Sequence, residues 1–148
     1  MFLLMTSLYA RTTYDQILNN STGVPVVFAK ALADTIDYYS GKHKVPANVI
    51  TAIFMVESSY RLNAMNRRSD DFGIGQVNKW HIKHSKLNKS RLLYDLNYSV
   101  EQSIVVFRWF YNTYPLDRAI MSYNAGTNPK IVNWVSVKQY LNLVKQYM

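Results

Sequence analysis

A mainly α-helical, single-domain protein is the fold class this sequence predicts, on three observations. The chain has 148 residues, room for one hydrophobic core and not for two independent ones. Apolar residues make up 49% of it and charged residues 18%, a balance that fills a core and excludes a largely disordered chain. Apolar side chains recur at helical spacing along most of its length, and no strand-length alternation or internal repeat competes with them.

Residues 1–22 form an N-terminal segment ahead of the main domain, 23–148. Phe2 to Ala10 is apolar and ends in Ser7-Leu8-Tyr9-Ala10 before Arg11, which admits two readings: a short secretory leader with its cleavage site, or a first helix packed on the core. Against the leader, no Lys or Arg precedes it and Leu8 is large where a small residue is preferred. Nine residues cannot span a bilayer, which needs about 20.

From Val26 to Tyr39 the apolar positions Val27, Ala31 and Ile36, with Phe28, Leu32 and Ala33 beside them, predict a helix that stops near Gly41. A second begins at Val45-Pro46, with Pro46 suited to the first turn. Val49, Ile50, Ile53, Phe54 and Val56 make it apolar nearly all round, hence buried. Residues 63–80 hold polar and glycine-bearing chain, read as a short irregular or hairpin segment. Lys79 to Arg91 is basic and reads as a solvated face. Ser99 with Gln102 resembles a capping box, opening a central core helix through Val100, Ile104, Val105, Phe107, Trp109, Phe110 and Tyr111. Pro115 ends that helix, Leu116 to Met121 starts another, and Asn124-Ala125-Gly126 closes it. A last helix runs from about Ser136 to Tyr147.

Seventeen Lys and Arg against nine Asp and Glu give a net charge of +8. Such a surface attracts polyanions, whether nucleic acid, acidic lipid or an anionic cell wall, and charge alone does not choose among them. The absence of cysteine excludes disulfides, thiolate zinc sites and cysteine nucleophiles. His81 and His84, three apart among lysines with no carboxylate near them in sequence, make a poor metal site and read as surface histidines. No metal and no cofactor is assigned.

The two glutamates differ in setting. Glu57 follows Ile53-Phe54-Met55-Val56 near the end of a buried helix, where desolvation and the negative helix end both oppose ionisation and raise its pKa. A carboxyl that holds its proton near neutral pH can protonate a leaving oxygen, as glycoside cleavage requires. The alternative is a helix-end glutamate pointing to water. Glu101 falls in a predicted first turn, where the dipole favours its charge, and reads as structural. The five glycines are scarce enough for their positions to matter. Gly73-Ile74-Gly75-Gln76 lets the backbone turn or approach a ligand while Gln76 presents an amide. Ser122-Tyr123-Asn124-Ala125-Gly126 places a phenol and an amide beside a glycine. Plain turns account for either segment taken alone.

In combination, Glu57-Ser58, Gly73-Ile74-Gly75-Gln76-Val77-Asn78, Tyr123-Asn124-Ala125-Gly126 and Tyr140-Leu141-Asn142-Leu143-Val144 resemble, in order and separation, the soluble lytic transglycosylase family from about Val45 to Tyr147. Small single-domain members linked to secretion systems, and those of bacteriophages, are similar in size. The chain departs from the family at Gly75, where methionine is usual, which removes a side chain expected to pack at the sugar site. Ser122 stands where alanine is common, an exchange of little consequence. A serine that several members use in the loop after the glutamate has two candidate counterparts, Asn66 and Ser69.

The resemblance implies a lysozyme-like helical domain that cleaves the β-1,4 bond between N-acetylmuramic acid and N-acetylglucosamine, with Glu57 as the single general acid and base and the sugar's own acetamido group as nucleophile. Ser58 and Gln76 would bind substrate or hold the loop near Glu57. Tyr123 would orient Glu57 or the acetamido group, Asn124 would bind sugar or fix its loop, and Tyr140 would close the site from the last helix. The partners implied are peptidoglycan glycan strands, with a secretion or conjugation apparatus or a phage particle as the setting and no specific nucleic acid. The protein is expected to be a monomer, placed in the cell envelope or periplasm if exported, or otherwise phage-associated. Two rivals stand beside this reading. One is a lysozyme resembling the goose type, with Asp70 or Asp71 positioning water, although Asn78 stands where that type carries Asp. The other is a basic, non-enzymatic module that binds wall or nucleic acid.

Overall fold

The structure is a computed structural model that describes residues 11–128, 130 and 132–148. The apolar run Phe2 to Ala10 lies outside the described residues. Eight helices and one small sheet are present among those described: α1 (Thr13–Asn20), α2 (Val26–His43), α3 (Ala47–Ser58), β1 (Met65–Asn66), β2 (Asp71–Phe72), β3 (Val77–Asn78), α4 (Lys79–His84), α5 (Lys89–Tyr94), α6 (Leu96–Tyr111), α7 (Leu116–Ala125) and α8 (Trp134–Tyr147). The mainly α-helical, lysozyme-like class expected from sequence is the one observed.

Helix α3 is the spine of the core. Val49, Ile50, Ile53 and Phe54 are each no more than 1% exposed, and burying an isoleucine or phenylalanine completely stabilises the fold by about 1.5–3 kcal/mol. α3 packs on α1, α2 and α8, while α6 packs on α2, α5 and α7. Pro46 is the N-cap of α3 and not part of its first turn. At the other end the chain leaves through two left-handed residues, Ser59 (φ 52°) and Tyr60 (φ 63°). Their amides return to Met55 O and Phe54 O, which satisfies carbonyls that the helix end leaves open.

Helix α1 falls inside the segment 1–22. It is too short and polar to announce itself by periodicity, yet Thr12 and Asp15 form a reciprocal capping box and Ile17 is fully buried in the common core. The basic stretch Lys79 to Arg91 is two short helices joined by a turn, each begun by an asparagine, Asn78 for α4 and Asn88 for α5, whose side chain accepts a helical amide.

The segment expected to be irregular or a hairpin is a three-stranded antiparallel sheet in the order β1-β2-β3. Met65 faces Phe72 and Asn66 faces Asp71, then Asp71 faces Asn78 and Phe72 faces Val77. Phe72, Ile74 and Val77 are buried and fasten this sheet to the helices. Gly73 turns with φ 82°, and a Cβ there would sit 2.4 Å from Leu92 O, so only glycine fits.

The start of α6 differs from expectation. Asp95 caps it by accepting the Tyr98 amide, and Ser99 is fully buried inside the helix, where its Oγ accepts the Ile74 amide at 3.3 Å. Ser99 therefore ties the glycine loop to α6 and caps nothing. Glu101 in consequence lies beyond the first turn and owes its charge to Lys42 Nζ (2.7 Å) and His43 Nε2 (3.1 Å). Burial opposes its ionisation, but those hydrogen bonds outweigh the burial and hold its pKa below the usual carboxylate value. Nor is α6 core on every side, because Val105 and Trp109 are exposed.

Candidate active site

The end of α3, the sheet, α4, α6 and α7 enclose a cleft of ≈ 540 Å³, a volume within the range of ligand sites. Glu57 lines it from the last turn of α3. Tyr140 Oη, arriving from α8, donates to Glu57 Oε1 at 2.7 Å. Removal of water from around the carboxyl raises the Glu57 pKa to about 7. The Tyr140 hydrogen bond pulls the value back, and the negative charge of Asp71 pushes it up again. A carboxyl balanced there can give up its proton and recover it at neutral pH.

Each residue expected at the site has a definite place. Gln76, Tyr123 and Asn124 line the cleft with Glu57. Gln76, itself left-handed at φ 50°, donates from Nε2 to Ala64 O (3.1 Å) and Gly73 O (2.9 Å), which locks its amide against the loop. Tyr123 Oη donates to Gly75 O at 2.6 Å. Burial first, then the Glu57 charge, pushes the Tyr123 pKa up, and burial does the same for Tyr140, so both phenols stay protonated donors. Asn124 is exposed at the end of α7. Ser58 stands behind the wall of the cleft. It is 2% exposed, does not line the cleft, and its single O–H lies within reach of two carbonyls, Ile74 O at 2.7 Å and Phe54 O at 3.1 Å. Its part is to bind the glycine loop to the helix that carries Glu57.

Gly75 also receives a different account from the one its sequence position suggests. A Cβ there would lie 2.3 Å from Ser103 Oγ and 2.7 Å from Tyr123 Oη. The space that a side chain at 75 would enter is filled by α6 and α7, and the missing methionine leaves no hole. Of the two candidates for the loop serine, Ser69 lines the cleft and shares a short hydrogen bond with Asp71 Oδ2, whereas Asn66 Oδ1 accepts the Arg68 and Ser69 amides and shapes a turn. Asp71 lines the cleft too, held by Asn78 Nδ2 at 2.6 Å. Asp70 points to Lys79 at the surface, 3.0 Å away. Asn78 Oδ1 meanwhile caps α4 by accepting the Trp80 amide at 3.0 Å.

The model of the Transglycosylase SLT domain matches residues 34–141, well over half of the chain. The chain belongs to the transglycosylase SLT family. Among individual proteins it is similar to Protein IpgF of Shigella flexneri and Protein IpgF of Shigella sonnei, each 30% identical, with 66% of this chain and 69% of the relative covered. The matched stretch contains the whole wall of this SLT cleft from Glu57 to Asn128, together with Tyr140.

Sequence reading alone misses four residues of this SLT domain that matter. Ser103 is invisible until α6 meets Gly75. Trp80, His81 and Trp109 line the cleft, and His81 is corrected from a surface histidine to a half-buried one whose pKa burial and the neighbouring His84 lower. A signal for Trp109 existed: on α6 it stands seven residues after Gln102 and three before Asn112, polar positions at helical spacing. Among the described residues no helix is long and apolar enough to cross a membrane.

Proposed function

We propose that this SLT-domain protein is a peptidoglycan lytic transglycosylase in which Glu57 serves in turn as general acid and general base. The observation that carries the reading is the Glu57 carboxyl, set in a cleft, held by Tyr140 and balanced near pH 7. Glu57 gives its proton to the bridging oxygen as the C1–O bond breaks, and that oxygen leaves with the electron pair. The acetamido oxygen of the muramic residue attacks C1 and forms an oxazolinium ring. Glu57, now a carboxylate, takes the proton of the muramic 6-hydroxyl, and O6 displaces the acetamido oxygen from C1. The products are a free 4-hydroxyl and a 1,6-anhydromuramic end, with Glu57 protonated again and no water consumed. Gln76 and Tyr123 hold the loop that floors the reacting sugar, Asn124 meets the sugar at the open edge, and Ser58 and Tyr140 act as positioning residues behind Glu57.

The net charge of +8 suits a substrate that bears lactyl and peptide carboxylates, and it speeds encounter. The setting that fits is the bacterial envelope, at the wall where a secretion or conjugation apparatus, or an entering phage particle, needs a local opening, with the enzyme acting as a monomer.

One feature favours a second reading. Asp71 lines the same cleft and is a carboxyl that could position water, which would make the enzyme a hydrolase of goose-lysozyme character. Mass spectrometry of digested sacculi separates the two. Anhydromuramic ends, lighter by one water than reducing ends, are expected, and reducing ends throughout would reject the transglycosylase reading. Replacing Tyr140 by phenylalanine removes the hydrogen bond that lowers the Glu57 pKa. The alkaline limb of the pH–rate profile should move up by about one pH unit, since hydrogen bonds to charged groups contribute about 1.5–3 kcal/mol. A limb that stays in place would remove Tyr140 from that role.

A further inference from the structure

The positive charge of the chain is gathered on one flank, which the chemistry of Glu57 does not explain. Between Arg61 and Arg91 the sequence holds eight Lys and Arg against two Asp, a surplus of six out of the net +8. All eight cations are exposed. This stretch builds the sheet, α4 and α5, and it supplies one group of cleft-lining residues, from Ser69 to His81. The other group comes from α6, α7 and the loop after it, from Val106 to Asn128, and includes no Lys, Arg, Asp or Glu. Four of the cations are engaged within the fold. Lys79 pairs with Asp70 at 3.0 Å and Arg91 with Asp95 at 2.9 Å, Arg61 Nε donates to Ser58 O at 3.0 Å, and Lys89 Nζ lies 5.0 Å over the Phe72 ring. Arg67, Arg68, Lys83 and Lys86 form no ion pair among the described residues. Arg67 and Arg68 occupy the β1–β2 turn directly before Ser69, a turn fixed by Asn66 Oδ1. Lys83 lies on α4 two residues past His81, and Lys86 follows its C-cap, Ser85. Unpaired like charges on one flank repel one another and favour an anionic occupant.

We infer that Arg67, Arg68, Lys83 and Lys86 form a docking flank for the carboxylates that the glycan strand carries on every second sugar, and that this contact turns the muramic edge of the strand toward the sheet and α4. The occupant follows from a match of charge patterns. In an extended β-1,4 strand successive rings face opposite ways, so the lactyl groups and stem peptides of the muramic residues line up along one edge. The other edge is neutral. A strand charged along one edge thus meets a cleft charged along one side, and the opposite orientation would set carboxylates against the uncharged side and leave the four cations without partners. This rests on the glycan-cleaving reading above and adds the side chains that tell a carboxylate-bearing strand from a neutral β-1,4 glycan. Exposed ion pairs are individually weak, so the four act as a set, on binding and not on bond cleavage.

The test measures cleavage of soluble peptide-bearing strands in three forms: untreated, trimmed of their stems by an amidase so that only lactyl carboxylates remain, and with every carboxylate capped as a neutral amide. The native enzyme should show a KM at least about tenfold higher on the capped strands, with kcat within about twofold. The trimmed strands separate the two carboxylate sources. A KM near the untreated value assigns the contact to the lactyl groups, and one near the capped value assigns it to the stems. Arg67→Gln, Arg68→Gln, Lys83→Gln and Lys86→Gln together should raise KM on untreated strands to the same extent. On capped strands that variant and the native enzyme should agree within about twofold, because the partner is already gone. Arg67→Lys, Arg68→Lys, Lys83→Arg and Lys86→Arg together should keep the native KM. Lys30→Gln, Lys44→Gln, Lys138→Gln and Lys145→Gln remove as much charge elsewhere and should move KM by less than about threefold, since salt screens distant charges. A native enzyme that digests capped and untreated strands with one KM, or a control set that raises KM as much as the flank set does, overturns the docking flank and leaves the proposed function standing. A native protein that releases no glycan fragments from any of the three forms overturns both.

Discussion

Replacing Glu57 by glutamine should lower the release of glycan fragments from sacculi by at least about 10³-fold, because two successive proton transfers are lost and each contributes about 10²–10⁴. The glutamine keeps an oxygen to accept from Tyr140, so the cleft should persist, and circular dichroism should remain native. The same substitution has a second consequence through stability. The Glu57 pKa rises from an ordinary 4.5 to about 7 on folding, so between those values the folded chain binds more proton than the unfolded chain. Stability must then fall as pH rises through that window and level off above it. A neutral amide escapes the penalty. Glu57→Gln should match the native protein below the window and exceed it above pH 7 by about 1–3 kcal/mol, since each tenfold change in a protonation equilibrium corresponds to about 1.4 kcal/mol. Denaturant melts across the window check this. A constant difference, or residual cleavage within tenfold of native, would exclude Glu57 as the buried acid. In the native enzyme kcat/KM should decline above pH 7 as the proton is lost.

Restoring the family methionine by Gly75→Met should destabilise the protein by about 1–3 kcal/mol, the usual cost of forcing volume into a packed place. Activity should fall at least about tenfold as well, since Tyr123 Oη, 2.7 Å from the new Cβ and bonded to Gly75 O at 2.6 Å, must also give way. The obstacle is chiefly one side chain: Ser103 Oγ and Cβ stand 2.3 and 2.5 Å from the position of the new Cβ. Combining Gly75→Met with Ser103→Gly should recover more than the two separate losses allow, with a coupling of about 1–2 kcal/mol in a double-mutant cycle. Strict additivity would mean that Ser103 does not set the residue at 75.

Gly75 also marks where reading the chain by itself runs out. Helices α2, α3, α6, α7 and α8 are legible because their apolar positions repeat at helical spacing over ten residues or more. The short helices α1, α4 and α5 offer too few turns for a period to emerge, and only their capping residues, Thr12, Asn78 and Asn88, betray them. Ser99 resembles a cap because a serine three residues before a glutamine is a local pattern, while its actual partner, the Ile74 amide, is distant in sequence. The site divides along the same line. Glu57, Gln76, Tyr123, Asn124 and Tyr140 can be named from short motifs. The functions of Ser58 and Ser103 as fasteners, and the exposure of Trp80 and Trp109, depend on which elements meet.

Asn78 carries a consequence for the charge stored in the cleft. Its amide nitrogen donates to Asp71 Oδ1 at 2.6 Å, at the wall of the cleft that also carries Glu57. An aspartate at 78 would set two carboxyls face to face at hydrogen-bonding distance, where like charges repel. The amide keeps that repulsion out of the wall that carries Glu57.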